Sequence, residues 1–279
     1  MKASSIINPS VLKGILNQEN LVILDARTGK DAHKNYLEKH IKNARFINLD
    51  KDLAEISENA SFGGRHPLPT PEKFSETLAN LGIDKDSKIV VYDTSNGANA
   101  AARCWWMLKS AGFEASVLNG GLQAAEKEGI ERSHGEESFE KAENYGLKTW
   151  RLPTINIEEI EEGLKNKILT VVDVRDAYRY RGESEPIDVV AGHIPGAVNF
   201  PFSENLNENG NFLSPEILRN KYSDFLKGKP EKIIVHCGSG VTACHTALAM
   251  DYAGMELPSV YVGSWSEWSR RGKEIATEP

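Results

Sequence analysis

Ile233-Ile234-Val235-His236-Cys237-Gly238-Ser239-Gly240-Val241-Thr242-Ala243-Cys244 is the stretch that decides how the rest of the chain is read. A β-branched apolar run ends on a cysteine, a short loop of small residues follows, and a helix begins. Such a strand–loop–helix turn aims successive backbone N–H groups at one point, where the helix N-terminus adds the positive end of its dipole. A sulfur held there is favoured as thiolate. Cys237 is therefore the expected nucleophile, with the loop backbone of Gly238, Gly240, Val241, Thr242 and Ala243 as a nest for whatever it binds.

Working outward, the same grammar occurs twice. Lys232-Ile233-Ile234-Val235-His236-Cys237 has its counterpart in Lys88-Ile89-Val90-Val91-Tyr92-Asp93. Leu169-Thr170-Val171-Val172-Asp173-Val174-Arg175 matches Leu21-Val22-Ile23-Leu24-Asp25-Ala26-Arg27, and Gly192-His193-Ile194 matches the turn at His40-Ile41. Ala111-Gly112 and Ala253-Gly254 close the corresponding helices. The strands are apolar runs without alternation, as in parallel sheets covered on both faces. This predicts an α/β protein of two tandem domains, each a mainly parallel central sheet with helices on both faces. Residues 1–135 form the first domain, the polar, weakly patterned residues 136–152 a linker, and 153–279 the second, catalytic domain.

The halves differ where chemistry is expected. Asp93 or a close neighbour stands where the second half has Cys237, so only the second half is equipped for thiol chemistry. His40 and His193, and Arg27 and Arg175, occupy equivalent places in both halves and read as structural. Cys104, Cys244 and the tryptophans Trp105, Trp106, Trp265 and Trp268 read as core or interface anchors. The chain has 279 residues and a net charge of -7, which argues against non-specific nucleic-acid binding. No apolar run approaches the roughly 18 residues of a membrane span. The N-terminus, Met1-Lys2-Ala3-Ser4-Ser5-Ile6-Ile7, has no apolar leader core, and three cysteines do not suggest a disulfide framework. A cytoplasmic location follows as an expectation. The cysteines lack zinc-ligand spacing, so no metal site is expected.

With these residues in place, the chain resembles the tandem-rhodanese sulfurtransferases over nearly its whole length. The most specific motif is Cys237-Gly238-Ser239-Gly240-Val241-Thr242-Ala243-Cys244. Arg179-Tyr180-Arg181-Gly182, Gly192-His193-Ile194-Pro195-Gly196-Ala197, Gly263-Ser264-Trp265-Ser266-Glu267-Trp268 and His66-Pro67-Leu68-Pro69 support it. In that family the loop carries a persulfide-forming cysteine. Its uncharged Gly-Ser-Gly form is similar to the branch that uses 3-mercaptopyruvate, whereas Arg and Lys after the cysteine mark the thiosulfate-preferring branch.

The resemblance implies a Ser–His–Asp relay of Ser239, His66 and Asp50, although the segment between Asp50 and His66 is longer than the family pattern. It implies that Arg179 holds the carboxylate of a small anionic sulfur donor. A second clamp arginine, expected in a Glu-Pro-Arg segment, is replaced in Glu185-Pro186-Ile187, which leaves Arg181 or Arg103 as substitutes. The acceptor would be a thiol, such as thioredoxin or a small thiol, or cyanide, with no cofactor and a monomeric chain. Two other enzyme readings and one non-enzymatic reading compete. Thiosulfate:cyanide transfer would want a cation in the loop, a cysteine phosphatase would need arginine where Ala243 stands, and a sulfide-sensing scaffold would not need Cys237.

Overall fold

A computed structural model describes residues 4–230 and 232–277. The stretch Met1-Lys2-Ala3, read for a leader, lies outside them. The chain divides into two compact units, one running up to Glu55 and again over Pro69–Leu152, the other comprising Ile56–Leu68 and everything from Pro153 onward.

In the first unit, the apolar runs become buried strands of one parallel sheet. Its strands are β1 (Ile6–Ile7), β2 (Leu21–Arg27), β4 (Ala44–Asn48), β5 (Lys88–Tyr92) and β6 (Glu114–Leu118), in the order β1-β6-β5-β2-β4. The remaining short strands, β3 (His40–Ile41) and β7 (Arg132–Ser133), pair antiparallel. Helices α1 (Pro9–Ile15), α2 (Ala32–Glu38), α3 (Leu49–Asp52), α4 (Pro71–Asn80), α5 (Ala100–Ala111) and α6 (Gly121–Lys127) accompany the sheet. Thr70 caps α4 from its side chain, with Pro71 as the first helical residue, a position where the missing N–H costs nothing.

The second unit repeats the plan. Strands β8 (Leu169–Asp173), β9 (Val198–Asn199), β10 (Lys232–His236) and β11 (Ser259–Val260) form a parallel sheet in the order β11-β10-β8-β9. Thr154 bridges Val260 in parallel, as β1 pairs with β6, and His193 bridges Ala276, as His40 pairs with Ser133. The duplication thus reaches strand order and edge pairings. Helices α7 (Ile157–Lys165), α8 (Ala177–Tyr180), α9 (Pro215–Leu226), α10 (Ala243–Tyr252) and α11 (Ser264–Trp268) complete the unit. Ile160, Val171, Ile194, Ile234, Tyr261 and Trp265 lie at its core.

The paired motifs have structural work in both units. Asp25 and Arg27 form a buried ion pair at 2.6 Å, as do Asp173 and Arg175 at 2.6 Å. His40 stacks on Tyr36 and faces its carbonyl at 2.8 Å; His193 does the same with Tyr180 at 2.8 Å. Trp105, Trp106, Trp265 and Trp268 are all buried.

Two segments fall differently from the division read off the sequence. The polar stretch expected as a linker packs with the first unit. The N–H groups of Gly146 and Leu147 donate to Ser75 Oγ, and Ala142 N–H to the Ala79 carbonyl at 2.9 Å. A polar segment without periodicity can still be fixed by hydrogen bonds to its neighbours, and composition does not reveal that. Residues 56–68, embedded in the first half of the sequence, belong with the second unit.

Candidate active site

Cys237 follows the last residue of β10 directly and is buried, at the entrance to the Gly238–Thr242 loop that leads into α10. Among the described residues, the N–H groups of Gly238, Ser239, Val241, Thr242 and Ala243 donate to no protein acceptor. Buried N–H groups are almost always paired, so a cluster of unpaired ones next to a sulfur is a site for negative charge.

The equivalent loop of the first unit shows what such a turn holds. There, Asp93 is buried and its carboxylate accepts from four N–H groups: Ser95 and Gly97 at 2.8 Å, Ala101 at 3.2 Å and Asn99 at 3.4 Å. Burial pushes this carboxyl above its ordinary range, and the four N–H groups oppose that. In one unit a built-in carboxylate fills the turn. In the other, the position belongs to a thiol.

The Cys237 loop hangs on α11. Cys237 N–H donates to Ser264 Oγ at 3.2 Å, and its carbonyl accepts from Trp265 N–H at 3.0 Å. The Gly238 carbonyl accepts from Ser266 N–H at 2.8 Å. Ser264 adopts a left-handed backbone (φ 53) and is wholly buried; its hydroxyl donates in turn to the Tyr261 carbonyl at 2.8 Å. A strained serine persists only where its surroundings over-determine it, and here it carries the backbone of the nucleophile.

The same helix anchors residues 56–68. Gly63 N–H donates to Glu267 Oε1 and Arg65 N–H to Ser266 Oγ, both at 3.0 Å. Gly64, with φ 78, lies so close to α11 that a Cβ would stand 2.3 Å from the Gly263 carbonyl. This brings His66 to Ser239, with Nδ1 2.8 Å from Oγ. Two members of the expected relay therefore meet inside one unit. Asp50 belongs to the other unit, in α3, where its N–H donates to the capping Asn48 side chain at 2.8 Å.

Around the loop lies a buried network of arginines and carboxylates, only one member of which was singled out from the sequence as a binding group. Arg179 pairs through Nε and Nη2 with Glu185, at 3.1 and 2.6 Å. Burial works against the Arg179 charge, but Glu185 outweighs it and raises the guanidinium above its usual range. Arg65 pairs through Nε and Nη2 with the buried Asp188, at 3.1 and 3.3 Å, and Arg270 reaches the same carboxylate at 2.9 Å. The two substitutes proposed for the missing clamp arginine lie elsewhere. Arg181 is exposed and paired with Glu183, and Arg103 is buried inside the first unit, where it donates to the Leu53 carbonyl. Arg65 escaped notice because it is near the loop only through the fold; its place just before His66 was the available signal.

His236 is buried between Asp173 and the loop, with Nε2 3.7 Å from Asp173 Oδ2. Desolvation lowers its pKa more than Asp173 raises it, which keeps the ring neutral. Cys244 is buried in α10 and its thiol points at the Gly240 carbonyl at 3.4 Å, while Cys104 is buried in the first unit; none of the three cysteines forms a disulfide. No group of three or more His, Cys, Asp or Glu side chains among the described residues is arranged to hold a metal. No helix among them is long and apolar enough to cross a membrane.

A cysteine at the end of a parallel strand, in an N–H-lined loop before a helix, repeated without the cysteine in a second unit, defines a class of protein. The rhodanese-like domain model matches residues 8–128 and again 156–271, and the chain belongs to the rhodanese family. It is 39% identical over 276 residues to the "Probable 3-mercaptopyruvate sulfurtransferase" of Pseudomonas aeruginosa, covering 96% of both chains. It is 38% identical over 253 residues to the thiosulfate sulfurtransferase of Mus musculus, covering 87% of this chain and 81% of that one. Its fold is similar to the crystal structure of SseA from Escherichia coli, a 3-mercaptopyruvate sulfotransferase, with a TM-score of 0.79 at 28% identity, over 95% of this chain and 100% of that one.

Proposed function

We propose that the protein is a sulfurtransferase that takes sulfur from 3-mercaptopyruvate onto Cys237 and passes it to a nucleophilic acceptor. The reading rests most on Cys237 standing beside unpaired loop N–H groups and the Ser239–His66 pair, in a loop with no charged side chain of its own. The Cys237 thiolate attacks the donor sulfur. A new S–S bond forms, the donor C–S bond breaks, and its electron pair leaves as the enolate of pyruvate. The donor thiol proton passes through Ser239 and His66 to the enolate carbon, by the acid–base logic of a hydrolytic relay. Pyruvate and a Cys237 persulfide anion result, and the loop N–H groups stabilise that anion. An acceptor thiolate or cyanide then attacks the outer sulfur and releases the Cys237 thiolate.

Arg179 holds the donor carboxylate by charge-assisted hydrogen bonds. The acceptor is a small thiol, a thioredoxin-like protein thiol or cyanide, and the chain works as a monomer in a reducing cytoplasm. Turnover of purified protein with 3-mercaptopyruvate and with thiosulfate, scoring pyruvate and transferred sulfur together, tests the reading. The expected result is preference for 3-mercaptopyruvate with one pyruvate per sulfur. Preference for thiosulfate, or no turnover with either donor, contradicts it.

A further inference from the structure

We infer that His236 is a positioning residue for the nucleophile: its Nδ1–H holds the Cys237 carbonyl and thereby turns the Gly238 N–H, across the same peptide, toward the anion site. The inference rests on Cys237 as the nucleophile and not on which donor loads it.

The repeat between the units breaks at two consecutive positions. His236 stands opposite Asp173 in the register of the second sheet, as Tyr92 stands opposite Asp25 in that of the first. Tyr92 turns to the Asp–Arg pair: its hydroxyl donates to Asp25 Oδ2 at 2.6 Å and accepts from Ile41 N–H at 2.9 Å. His236 turns instead to the peptide that follows it, with Nδ1 3.2 Å from the Cys237 carbonyl oxygen. That oxygen also accepts from Trp265 N–H at 3.0 Å. The Asp93 carbonyl takes the matching bond from Leu122 N–H at 3.2 Å and, among the described residues, no second donor. The extra donor therefore occurs in the unit that carries the thiol.

The partners of the ring place its proton. A carbonyl oxygen only accepts, so Nδ1 must carry a hydrogen to bond it. The ring is wholly buried and neutral, which leaves Nε2 bare. Nε2 has no hydrogen-bond partner among the described residues and stands 3.7 Å from Asp173 Oδ2. A buried acceptor without a partner is tolerated more often than a buried N–H without one. Asp173 is itself engaged by Arg175 at 2.6 Å; Arg175, His193 and Tyr261, whose ring centroid is 6.3 Å away, are the other titratable neighbours of the imidazole.

The Cys237–Gly238 peptide is trans, so its C=O and N–H point to opposite sides. Two donors on the oxygen, one from α11 and one from His236, fix the direction of the Gly238 N–H, which donates to no protein acceptor. Donors oriented in advance need no reorganisation when negative charge develops on the sulfur.

Asparagine places an amide N–H where histidine has Nδ1, and glutamine places one where it has Nε2. His236→Asn should therefore keep the bond to Cys237 and His236→Gln should lose it. Alkylation of Cys237 by uncharged iodoacetamide, followed against pH, reads the difference without any turnover. In His236→Gln the profile should move about one unit to higher pH, roughly a 10-fold slower reaction near neutrality, as one weakened hydrogen bond to a charged group requires. His236→Asn should track wild type. A residue that merely fills the core would cost both variants stability in urea and leave both profiles in place. Nitrogen NMR of the histidine-labelled wild-type protein reads the tautomer itself and decides the matter where a variant does not fold. A proton on His236 Nδ1 is expected, and its absence overturns the inference. Equal shifts in the two variants, a shift in His236→Asn alone, or none in either also overturns it. No transfer from 3-mercaptopyruvate by the wild type, with the alkylation difference intact, would instead refute the donor and leave the role of His236 standing.

Discussion

Two glycines two residues apart in the Cys237 loop should respond oppositely to the same substitution. Gly240 has φ 74, and a Cβ there would lie 2.4 Å from the Val262 carbonyl oxygen and 2.9 Å from its Cα. An alanine pays the left-handed penalty of about 1–2 kcal/mol, and overpacking against backbone that cannot rotate away adds about 1–3 kcal/mol. Gly238 has an ordinary φ, and its added Cβ would meet the far ends of Arg65 and Arg179 at 3.0 and 3.5 Å. Those side chains can shift, so Gly238→Ala should change stability by less than about 1 kcal/mol while displacing the two guanidinium groups beside the loop. Urea unfolding and donor kinetics on both variants separate the effects. Gly240→Ala should lower the midpoint clearly and slow Cys237 alkylation by any reagent. Gly238→Ala should unfold like wild type but raise KM for the anionic donor. If Gly240→Ala is as stable as wild type, or Gly238→Ala is the more destabilised, the loop is not packed against Val262 at Gly240.

In the first unit, Asp93→Asn puts an amide nitrogen opposite N–H donors and should destabilise the protein by about 2–4 kcal/mol without touching Cys237; denaturation paired with transfer assays checks both halves of that statement. Ser239→Ala and His66→Ala should each cut kcat with 3-mercaptopyruvate by about 100-fold or more, and the double variant should lose little beyond either single one; additive losses would show that the two do not act as a unit. Glu185 is held below its ordinary pKa of 4.5, because burial, which raises it, is outweighed by Arg179 and the N–H groups of Asp188 and Ile187. A depressed folded-state pKa stabilises fully above the unfolded value and is lost as pH falls below it. The stability gap between wild type and Glu185→Gln should accordingly be constant near neutrality and shrink below about pH 4.5; a gap that widens on acidification contradicts the ion-pair assignment.

Much of this architecture was legible because burial on both faces writes itself into sequence as unbroken apolar runs. The strands at Leu21, Lys88, Leu169 and Lys232 announced two parallel sheets, and the His40/His193 and Arg27/Arg175 pairs announced their own structural role by recurring in the half without a nucleophile. Cys237 was legible for the converse reason: it breaks the repeat. Residues 56–68 were not. Their allegiance to the second unit depends on Gly64 fitting against Gly263 and on single hydrogen bonds to Ser266 and Glu267, which leave no periodic trace. The same holds for Arg65, distant in sequence from the loop it approaches. The role of α11 was half visible. Its tryptophans read as core, and they are buried, but the backbone it offers to Cys237 and Gly238 is not a property of any side chain.

In the proposed mechanism Cys237 itself carries the sulfur. Incubating the protein with 3-mercaptopyruvate, removing the donor and weighing the peptides tests it most directly. The expected result is a gain of one sulfur, about 32 Da by the covalent mechanism, on the Cys237 peptide alone, discharged by added thiol or cyanide and absent from Cys237→Ser, which should also transfer nothing. Turnover with no adduct on Cys237, or an adduct carried by Cys244 or Cys104 instead, would contradict it.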